Sequence, residues 1–525
     1  MSRYLSDEEY NSLIRDNYSL KSKLEAFKKG TYVDKEVSKF KRVNARLEKM
    51  VASRDKKLEK IDGENYRLKL QIRKLEEENK ALKAENEKLK IIMAKDHTNS
   101  SFPSSALRFP VRVSNSRIKT DRKPGGQPGH KGHPRRQYEA DEIVCLERDE
   151  NIISSEEYVF TGEYLSRKLI DLDVKVKVIE YKAKIFQNII TSKTIHSGFP
   201  EGVDNEINYS SNIKAMAYYL NNYCNVSIDK TRDFIDQISN HRISLSKGFI
   251  SNLNRQFHER SKKDVEELFS SLSKADVLYT DNTNARVNGK GRFVYVSTDK
   301  DKVIYNSAEH KGHEGVKLTP VSLSLGTIVH DHDKTFYNYG KDHQECLAHI
   351  LRYLQSSIDY EHNLTWSSLM KAFLQETIHE VKNGSLDEKQ IKKKKKRYEA
   401  IIHTGLKEYV EHPPNDYYMD GFNLLMRMRE YEDSTLYFLD HPQVDYTNNI
   451  SESLCRKVKR KIRSVTTFRS DDSLSHYCDG LSIIETARCK DQNVFTKICD
   501  IFDQPKIKEK PDETAQTDKI KDQRV

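Results

Sequence analysis

Residues 276–308 decide the fold, and they read DVLYTDNTNARVNGKGRFVYVSTDKDKVIYNSA. Three short runs rich in β-branched and aromatic residues are separated by the turn signals NGKG and DKDK. This pattern predicts an antiparallel meander of three strands. A fourth apolar run, LGTIVHD, ends at Asp331 after a helical stretch. Three hairpin-linked strands, a helix, a fourth strand and further helices follow the order of a ribonuclease H-like fold.

In that order Asp281 lies in the first strand and Asp331 at the end of the fourth, so adjacent strands would bring the two carboxylates together. Such a pair suits two Mg²⁺ ions, and a third carboxylate from a helix would complete the site. Glu452, in TNNISESLCR, is the candidate. The residues alone leave other roles open: both Asp residues could form turns, Glu452 could be a surface residue, and Asp333 competes with Asp331.

A basic stretch, RKVKRKIR, follows the candidate Glu452 on the same predicted helix. Residues three and four apart share a helix face. Arg456, Lys459 and Arg463 are therefore predicted to contact DNA phosphates, while Lys457 and Lys461 are predicted to be more solvated. The alternative is that the whole run is a solvated face.

A heptad pattern runs through residues 33–93, with Leu frequent at d and Asn recurrent at a. This pattern is typical of a parallel two-stranded coiled coil, because buried Asn pairs fix register and strand number. It therefore predicts a homodimer or higher oligomer. An antiparallel hairpin within one chain is the alternative.

A Gly- and Pro-rich basic linker follows the heptads, and it contains RKPGGQPGHKGH. Arg122, Lys123, His130 and Lys131 are its candidate DNA-binding residues. The composition leaves two interpretations equally open, a solvated spacer and an arm that follows the DNA backbone.

The remaining pattern predicts an α/β multidomain protein. Alternation over residues 156–190, clearest in Val174–Val178, predicts a small sheet, and three helical stretches between residues 210 and 261 fit either a helix-turn-helix or a helical connector. Residues 361–438 look helical and include six consecutive basic residues, Lys392 to Arg397. The predicted segments are 1–95 helix and coiled coil, 96–140 linker, 141–204 small β region, 205–270 helices, 271–360 first core part, 361–440 helical insertion, 441–502 second core part and 503–525 disordered tail.

A helix is predicted from about His343 to Ser356. His343, Cys346 and His349 cannot converge on one ion from a single helix, because two steps of three residues turn through about 600°. Packing and lining of the site are their predicted roles, with His349 and Arg352 near the scissile phosphate.

Bulk composition restricts the class of protein. The chain has 525 residues, 32% charged residues and a net charge of +10, which favours a polyanionic partner. No apolar run approaches the length of about 18 residues that a membrane helix needs. The seven cysteines form no CxxC pair, which argues against a zinc ribbon and suits a reducing cytosol. The N-terminus carries no signal-peptide core.

The motifs, taken in order, resemble the insertion-sequence-66 transposase family, a DDE-type family of bacterial mobile elements. The similar stretches are RKPGGQPGHKGH, DNTNARVNGKGRF, GTIVHDHDKTFYNYG, HQECLAHILR, TNNISESLCR and SIIETARCKDQN. The resemblance implies a ribonuclease H-like core with a helical insertion and a triad of Asp281, Asp331 and Glu452. It implies metal-dependent cleavage of transposon ends and strand transfer, with Mg²⁺ or Mn²⁺ as the metal.

Departures from the family pattern qualify these expectations. Relatives often have paired cysteines after the GGQPGH segment, but here only Cys145 remains, so we expect no zinc and a metal-free, degenerate ribbon region. Asn282 stands where the family usually has Glu. The expected partners are DNA and element-encoded helper proteins, with no membrane, in the bacterial cytoplasm at the nucleoid. The alternatives are a catalytically decayed DNA-binding or architectural protein and a nuclease without strand transfer.

Overall fold

The computed structural model describes residues 7–95, 99, 138–146, 161–384, 386–414 and 418–504. The chain divides after Ala94 into two compact units, residues 1–94 and residues 95–525. In the described ranges no helix is long and apolar enough to span a bilayer.

The first unit consists of two helices, α1 (Asp7–Lys28) and α2 (Thr31–Ala94). The continuous helix predicted over residues 33–93 is confirmed, and its 64 residues make a rod of about 96 Å at 1.5 Å per residue. Leucines at its d positions are more than half exposed, 51% for Leu47, 61% for Leu75 and 64% for Leu82. An apolar seam therefore lies on the surface of this unit.

The second unit contains a short antiparallel ribbon of β1 (Ile185–Gln187) and β2 (Thr194–His196). Of the small sheet predicted over residues 156–190, the described part contains only β1, and Val174–Val178 form no ladder with any described strand. Alternation reflects a strand only when one face is buried, and Val178 is 78% exposed. The ribbon forms just beyond this stretch instead.

Three helices follow the ribbon, α3 (Ser211–Tyr218), α4 (Ile228–Ile238) and α5 (Lys247–Leu272). The hydroxyls of Ser227 and Ser246 cap α4 and α5 by accepting backbone N–H bonds. Apolar side chains are buried along the whole of α5, from Ile250 to Leu272. This helix is therefore part of the protein core over its full length.

A five-stranded mixed sheet forms the centre of the second unit. Its strands are β3 (Val277–Val287), β4 (Lys290–Thr298), β5 (Val303–Ala308), β6 (Thr327–His330) and β7 (Asp342–Glu345), and their spatial order is β5-β4-β3-β6-β7. β3, β4 and β5 are antiparallel neighbours, whereas β6 runs parallel to β3 and β7 parallel to β6. The meander and the fourth strand predicted from the sequence are confirmed. Asn288 and Gly289 form the first turn with φ of 47° and 79°, which matches a type I′ turn.

The helix predicted to begin at His343 begins later. His343 lies in β7, and the next helix, α7 (Leu347–Tyr360), starts only at Leu347. A short helix α6 (His313–Val316) lies earlier in the chain, before β6. Residues Asp342–Glu345 pair with β6 in parallel, with Gln344 opposite Val329. For His343 and its neighbours, pairing with the buried strand β6 outweighs the helical spacing of the apolar residues that follow, so the helix starts after Glu345.

Helices cover both faces of the sheet. The further helices are α7 (Leu347–Tyr360), α8 (Trp366–Asn383), α9 (Glu388–Glu411), α10 (Asp420–Glu430), α11 (Glu432–Leu436), α12 (Asn449–Val465), α13 (Asp471–Cys489) and α14 (Val494–Asp503). Side chains of α12 and α13 pack on one sheet face with those of β4 and β5, and Leu272 of α5 packs on the other face. α7 to α11 share one apolar core around the buried Trp366, and the helices α8 to α11 confirm the helical stretch predicted at 361–438.

Helix α13 also covers the outer edge of the sheet. Ser482 Oγ accepts the backbone N–H of Tyr305 at 2.8 Å, and Thr486 Oγ1 accepts that of Val303 at 2.9 Å. Side-chain hydroxyls thus replace the missing neighbour strand of β5, which is one way to protect an edge.

Candidate active site

Asp281 and Asp331 lie next to each other at one end of the sheet. Tyr279 in β3 pairs with Val329 in β6, and the two strands are parallel. Asp281 lies two residues after Tyr279, and Asp331 lies two residues after Val329. The two carboxylates therefore lie at the same level along the strand direction. The adjacency expected from the strand order is therefore present in the structure.

The two carboxylates share an electrostatic environment that disfavours negative charge. Burial raises the pKa of Asp281, and the neighbouring Asp331 and then Glu452 raise it further, to about 8. Burial also raises the pKa of Asp331, and Asp333 and Glu452 add to this effect. A site with several carboxylates in this state gains most from a bound cation.

The surroundings distinguish Asp331 from its competitor Asp333. Asp333 forms an ion pair with Lys311 at 3.1 Å and accepts the backbone N–H of Thr335 at 3.0 Å. These contacts outweigh partial burial and lower the pKa of Asp333. By contrast, Oδ1 of Asp331 is buried and has no hydrogen-bond partner among the described residues. Asp333 is thus already neutralised by the protein, whereas Asp331 is not.

Glu452 comes from the first turn of α12, and Asn448 fixes where that helix starts. The side-chain amide of Asn448 donates to the backbone oxygen of Thr280 at 2.7 Å, and its backbone N–H donates to Sγ of Cys346 at 3.2 Å. Asn448 is buried, so both contacts lie inside the protein. They tie the start of α12 to the strand residue that precedes Asp281.

Nitrogen groups of three side chains contact the carboxylate oxygens of Glu452. Arg352 Nη2 lies 3.4 Å from Oε1, and Arg456 Nη2 lies 3.1 Å from Oε2. His349 Nε2 lies 3.5 Å from Oε1. Burial, followed by the nearby Arg352, lowers the pKa of His349 to about 4, so its imidazole is neutral at neutral pH. The expected lining of the site by His349 and Arg352 is therefore present as contacts to Glu452.

The donor set fits hard divalent cations that bring most of their own ligands. Within the described ranges, no three His, Cys, Asp or Glu side chains converge closely enough to hold a metal ion alone. Mg²⁺ commonly takes only one or two protein carboxylates and completes its shell with water and substrate phosphates. The unpartnered Oδ1 of Asp331 is a suitable oxygen for such an ion.

A buried network that the sequence did not indicate supports the Asp331 loop. Glu345, at the end of β7, is 1% exposed and accepts hydrogen bonds from His332 and Tyr337. Arg427 of α10 donates to Glu345 Oε2 through Nη2 at 2.8 Å and through Nε at 3.2 Å. Burial alone would raise the pKa of Glu345, but His332 and Arg427 outweigh it and lower this pKa to about 2. The network joins the helical insertion to the residue after Asp331.

Sequence reasoning missed this network because it placed the segment in a helix. The available signal was the polar run Asp342–Glu345, which begins two residues after Gly340, whose φ is 73°. A turn glycine followed by four residues pairing with β6 predicts a short strand, and Glu345 then stands at its carboxyl end.

The basic residues after Glu452 divide between surface and interior. Arg456 and Arg463 are exposed and Lys459 is partly exposed. Lys459 is also close enough to Asp281 to lower the pKa of that carboxyl.

The predicted solvation of Lys457 and Lys461 is wrong. Lys461 is 5% exposed and donates to the backbone oxygen of Asn221 at 2.6 Å, while Lys457 pairs with the buried Glu485. Helix α12 turns this face toward α13 and the π-helical turn Tyr219–Tyr223, so long cationic side chains are used there as internal donors.

Four further candidates lie outside the described residues. Arg122, Lys123, His130 and Lys131 belong to the stretch between residues 99 and 138, so their role in DNA binding stays a prediction. The expected absence of zinc also stays a prediction.

Comparison with known proteins gives one family match. Residues 208–475 match the family model described as Transposase IS66 family, which covers about half of the 525-residue chain. No curated protein matches the chain. The matched range includes the whole sheet, Asp281, Asp331 and Glu452.

Proposed function

The chain belongs to the IS66 family of transposases, and from this premise we propose that it cuts transposon ends and transfers the freed strands into target DNA. Membership in the family implies a DNA transposase. The finer proposal assigns cleavage and joining to a carboxylate triad of Asp281, Asp331 and Glu452. One observation carries it: Asp281 and Asp331 lie side by side on parallel strands, and each has a pKa raised by burial and by neighbouring carboxylates.

We propose that residues 271–360 and 441–502 form a ribonuclease H-like catalytic core, interrupted by a helical insertion at 361–440. The strand order β5-β4-β3-β6-β7, with a three-stranded antiparallel half and two parallel strands, supports this assignment. The insertion with its own apolar core between β7 and α12 supports it as well.

Asp281 and Asp331 would hold one divalent cation, and Asp281 with Glu452 a second, with Mg²⁺ the expected ion and Mn²⁺ a substitute. Bound ions would supply the charge that activates the attacking oxygen and stabilises the leaving oxygen. The side chains of this protein supply positioning. Asn448 fixes the start of the helix that carries Glu452, and Glu345 holds His332 beside Asp331.

Arg352, Arg456 and His349 keep Glu452 near the aspartates while the site is free of substrate. Arg352 and Arg456 donate N–H groups to this carboxylate, and the neutral imidazole of His349 lies beside it. When DNA binds, the same side chains are placed to contact a DNA phosphate, whose negative charge would take the place of part of the Glu452 charge. Preorganised donors of this kind contribute by electrostatics and cost little reorganisation.

We assign DNA contacts to Arg456, Lys459 and Arg463 on α12, and to Arg122, Lys123, His130 and Lys131 in the linker. The exposure of Arg456 and Arg463 and the closeness of Lys459 to Asp281 support the first group. The exposed leucine seam of α2 supports pairing of two chains through a coiled coil, which would hold two DNA ends in one complex.

Cleavage of end-containing DNA by the purified full-length chain tests the proposal. We expect nicked and strand-transferred products with Mg²⁺ and none with EDTA, and Asp281→Asn should remove both products while leaving DNA binding intact. Cleavage without joined products would identify a nuclease instead. DNA binding without any cleavage would identify an architectural protein.

A further inference from the structure

The six consecutive basic residues Lys392–Arg397 of α9 divide into two groups by helix face. Lys394 is 8% exposed, and its Nζ lies 3.0 Å from carboxylate oxygens of Glu376 and Glu380. Arg397 pairs with Glu376 at 2.8 Å, and Lys395 pairs with Asp440 at 2.6 Å. These three cations attach α9 to its neighbours and are neutralised inside the unit.

The other three, Lys392, Lys393 and Lys396, are exposed, and none has an ion pair with any residue of the described ranges. Lys389 and Lys407 are exposed as well. Measured from Lys389, the other four follow after 3, 4, 7 and 18 residues. At about 100° per residue these steps place all five within roughly 100° of helix surface. We call this set the α9 stripe.

The opposite face of α9 is fully used by the protein. Tyr398, Ile402 and Tyr409 are buried in the core of the insertion, and the Tyr398 hydroxyl donates to the backbone oxygen of Met428 at 2.7 Å. A helix that binds a membrane surface needs its apolar face free to enter the lipid. Here that face is occupied, so the exposed stripe offers a ligand charged side chains, five of them lysines, and no free apolar face.

We propose that the α9 stripe is a second DNA-contacting surface, which binds the phosphate backbone of duplex DNA outside the active site. The proposal rests on the proposed transposase function and extends it to the helical insertion, for which the sequence indicated no role. Its occupant is duplex DNA rather than an acidic protein, because the stripe is straight, cationic and long.

The dimensions agree with this partner. From Lys389 to Lys407 the helix advances 18 residues, which is about 27 Å at 1.5 Å per residue. Duplex DNA carries one negative charge per about 1.7 Å of axis, so every lysine of the stripe can find a phosphate over that length. The helix is fixed by its buried face and by the ion pairs of Lys394, Lys395 and Arg397, so the lysines meet the DNA on a rigid support.

The test measures the salt dependence of duplex DNA binding by the full-length chain. The variant replaces Lys392, Lys393 and Lys396 with Gln, and its slope of log K against log salt is compared with that of the wild type. We expect the magnitude of this negative slope to decrease by about 0.9 for each lost phosphate contact, up to about 2.7 in all. Unfolding temperature should be unchanged, because the three side chains are exposed and unpaired.

Two matched controls separate this contact from a general effect of charge. Replacing the same three lysines with Arg keeps the charge and should keep the wild-type slope. Replacing the exposed Lys21, Lys23 and Lys28 of α1 with Gln removes the same charge elsewhere and should leave the slope nearly unchanged. An equal fall in the α1 variant would overturn the proposal, as would an unchanged slope in the α9 variant.

The outcomes also separate this proposal from the function on which it rests. If the wild type shows Mg²⁺-dependent cleavage but the α9 variant keeps the full salt slope, only the α9 stripe is wrong. If the wild type neither cleaves nor binds duplex DNA in a salt-dependent way, the proposed function itself fails.

Discussion

Asn448 donates a hydrogen bond from its side-chain amide to the backbone oxygen of Thr280 at 2.7 Å, and this bond sets the distance between α12 and β3. Asp281 follows Thr280 directly, and Glu452 lies in the first turn of the helix that Asn448 starts. One buried amide therefore positions two carboxylates that come from opposite ends of the core sequence.

Asn448→Ala should impair cleavage more than DNA binding. Loss of a group that orients a metal ligand commonly costs about 10- to 100-fold in activity. Leaving a buried acceptor unpaired should also lower the free energy of unfolding by about 1–3 kcal/mol. Asn449→Ala is the matched control, because Asn449 is exposed and next in sequence. Equal cleavage rates in the two variants would remove Asn448 from the positioning role.

Asp331→Asn and Asp333→Asn should differ in activity. The first change removes a carboxylate with a free buried oxygen, and we expect cleavage to fall by more than the roughly 100-fold typical of supporting residues. The second change breaks the Lys311 ion pair and should lower stability slightly while cleavage persists. Gel assays of cleavage at saturating Mg²⁺ measure both. The reverse result would make Asp333 the metal ligand.

Asp281 should make stability depend on pH when no metal is present. Its folded pKa is about 8, above the unfolded value of about 4, so the folded chain binds more protons between these pH values and loses stability as pH rises. In EDTA, Asp281→Asn should therefore gain stability over the wild type as pH increases from about 4 to about 8. Urea unfolding measures this gain. A constant difference across this range would show that Asp281 does not carry the raised pKa.

Mg²⁺ should reverse the order of stability of the wild type and the Asp281→Asn variant. A divalent cation binds the ionised carboxylate and stabilises the folded wild type by mass action. At pH 8 we expect the unfolding temperature of the wild type to rise with Mg²⁺ and that of Asp281→Asn to stay constant. Equal responses would place the bound ion elsewhere.

Glu345 should stabilise the junction between the sheet and the helical insertion. Glu345→Gln leaves Arg427 without its carboxylate partner, and breaking a buried pair from one side typically costs about 3–5 kcal/mol. The folded pKa of Glu345 is lowered to about 2, so its charged form stabilises the fold above the unfolded value of about 4.3 and loses this effect as pH falls toward 2.

A double variant provides the control for this pair. Replacing Glu345 and Arg427 together with Leu should cost less than Glu345→Leu alone, because both variants remove the acceptor of His332 and Tyr337 but only the single variant leaves the Arg427 charge unpaired. Urea midpoints at pH 7 and pH 3 provide the comparison. A larger loss in the double variant than in the single variant would contradict the ion-pair explanation.

Lys459 and Arg463 should contribute to the salt dependence of DNA binding. Replacing both with Gln should lower the slope of log K against log salt by about 0.9 per lost phosphate contact. The effect should be similar for all DNA sequences, because phosphates carry no base identity. Lys461→Met is the control on the same helix: Lys461 is buried, so the variant should lose stability and keep the slope. If the slope falls only when Arg122 and Lys123 are replaced, the linker supplies the main contact.

The sequence was informative where side-chain pattern and backbone agree. The hairpin turn at Asn288 and Gly289 and the strand ending before Asp331 could be located because turn residues and alternation are local signals. The strand at His343 could not, because its existence depends on pairing with β6, a contact with residues earlier in the chain. The internal contacts of Lys457 and Lys461 were not predicted for the same reason: a charged side chain suggests solvent exposure until the neighbouring helix is known.

The cover of β5 by α13 has a consequence for synthesis. Thr486 is 183 residues downstream of Val303, and a ribosome adds about 5–20 residues per second. Roughly 9–37 seconds therefore pass between the synthesis of Val303 and that of the Thr486 hydroxyl that covers it. During that time the backbone donors of β5 are open to any other extended chain. In a nascent protein truncated before residue 482 the edge of β5 stays uncovered permanently. Premature termination therefore yields a product that is prone to self-association through this edge.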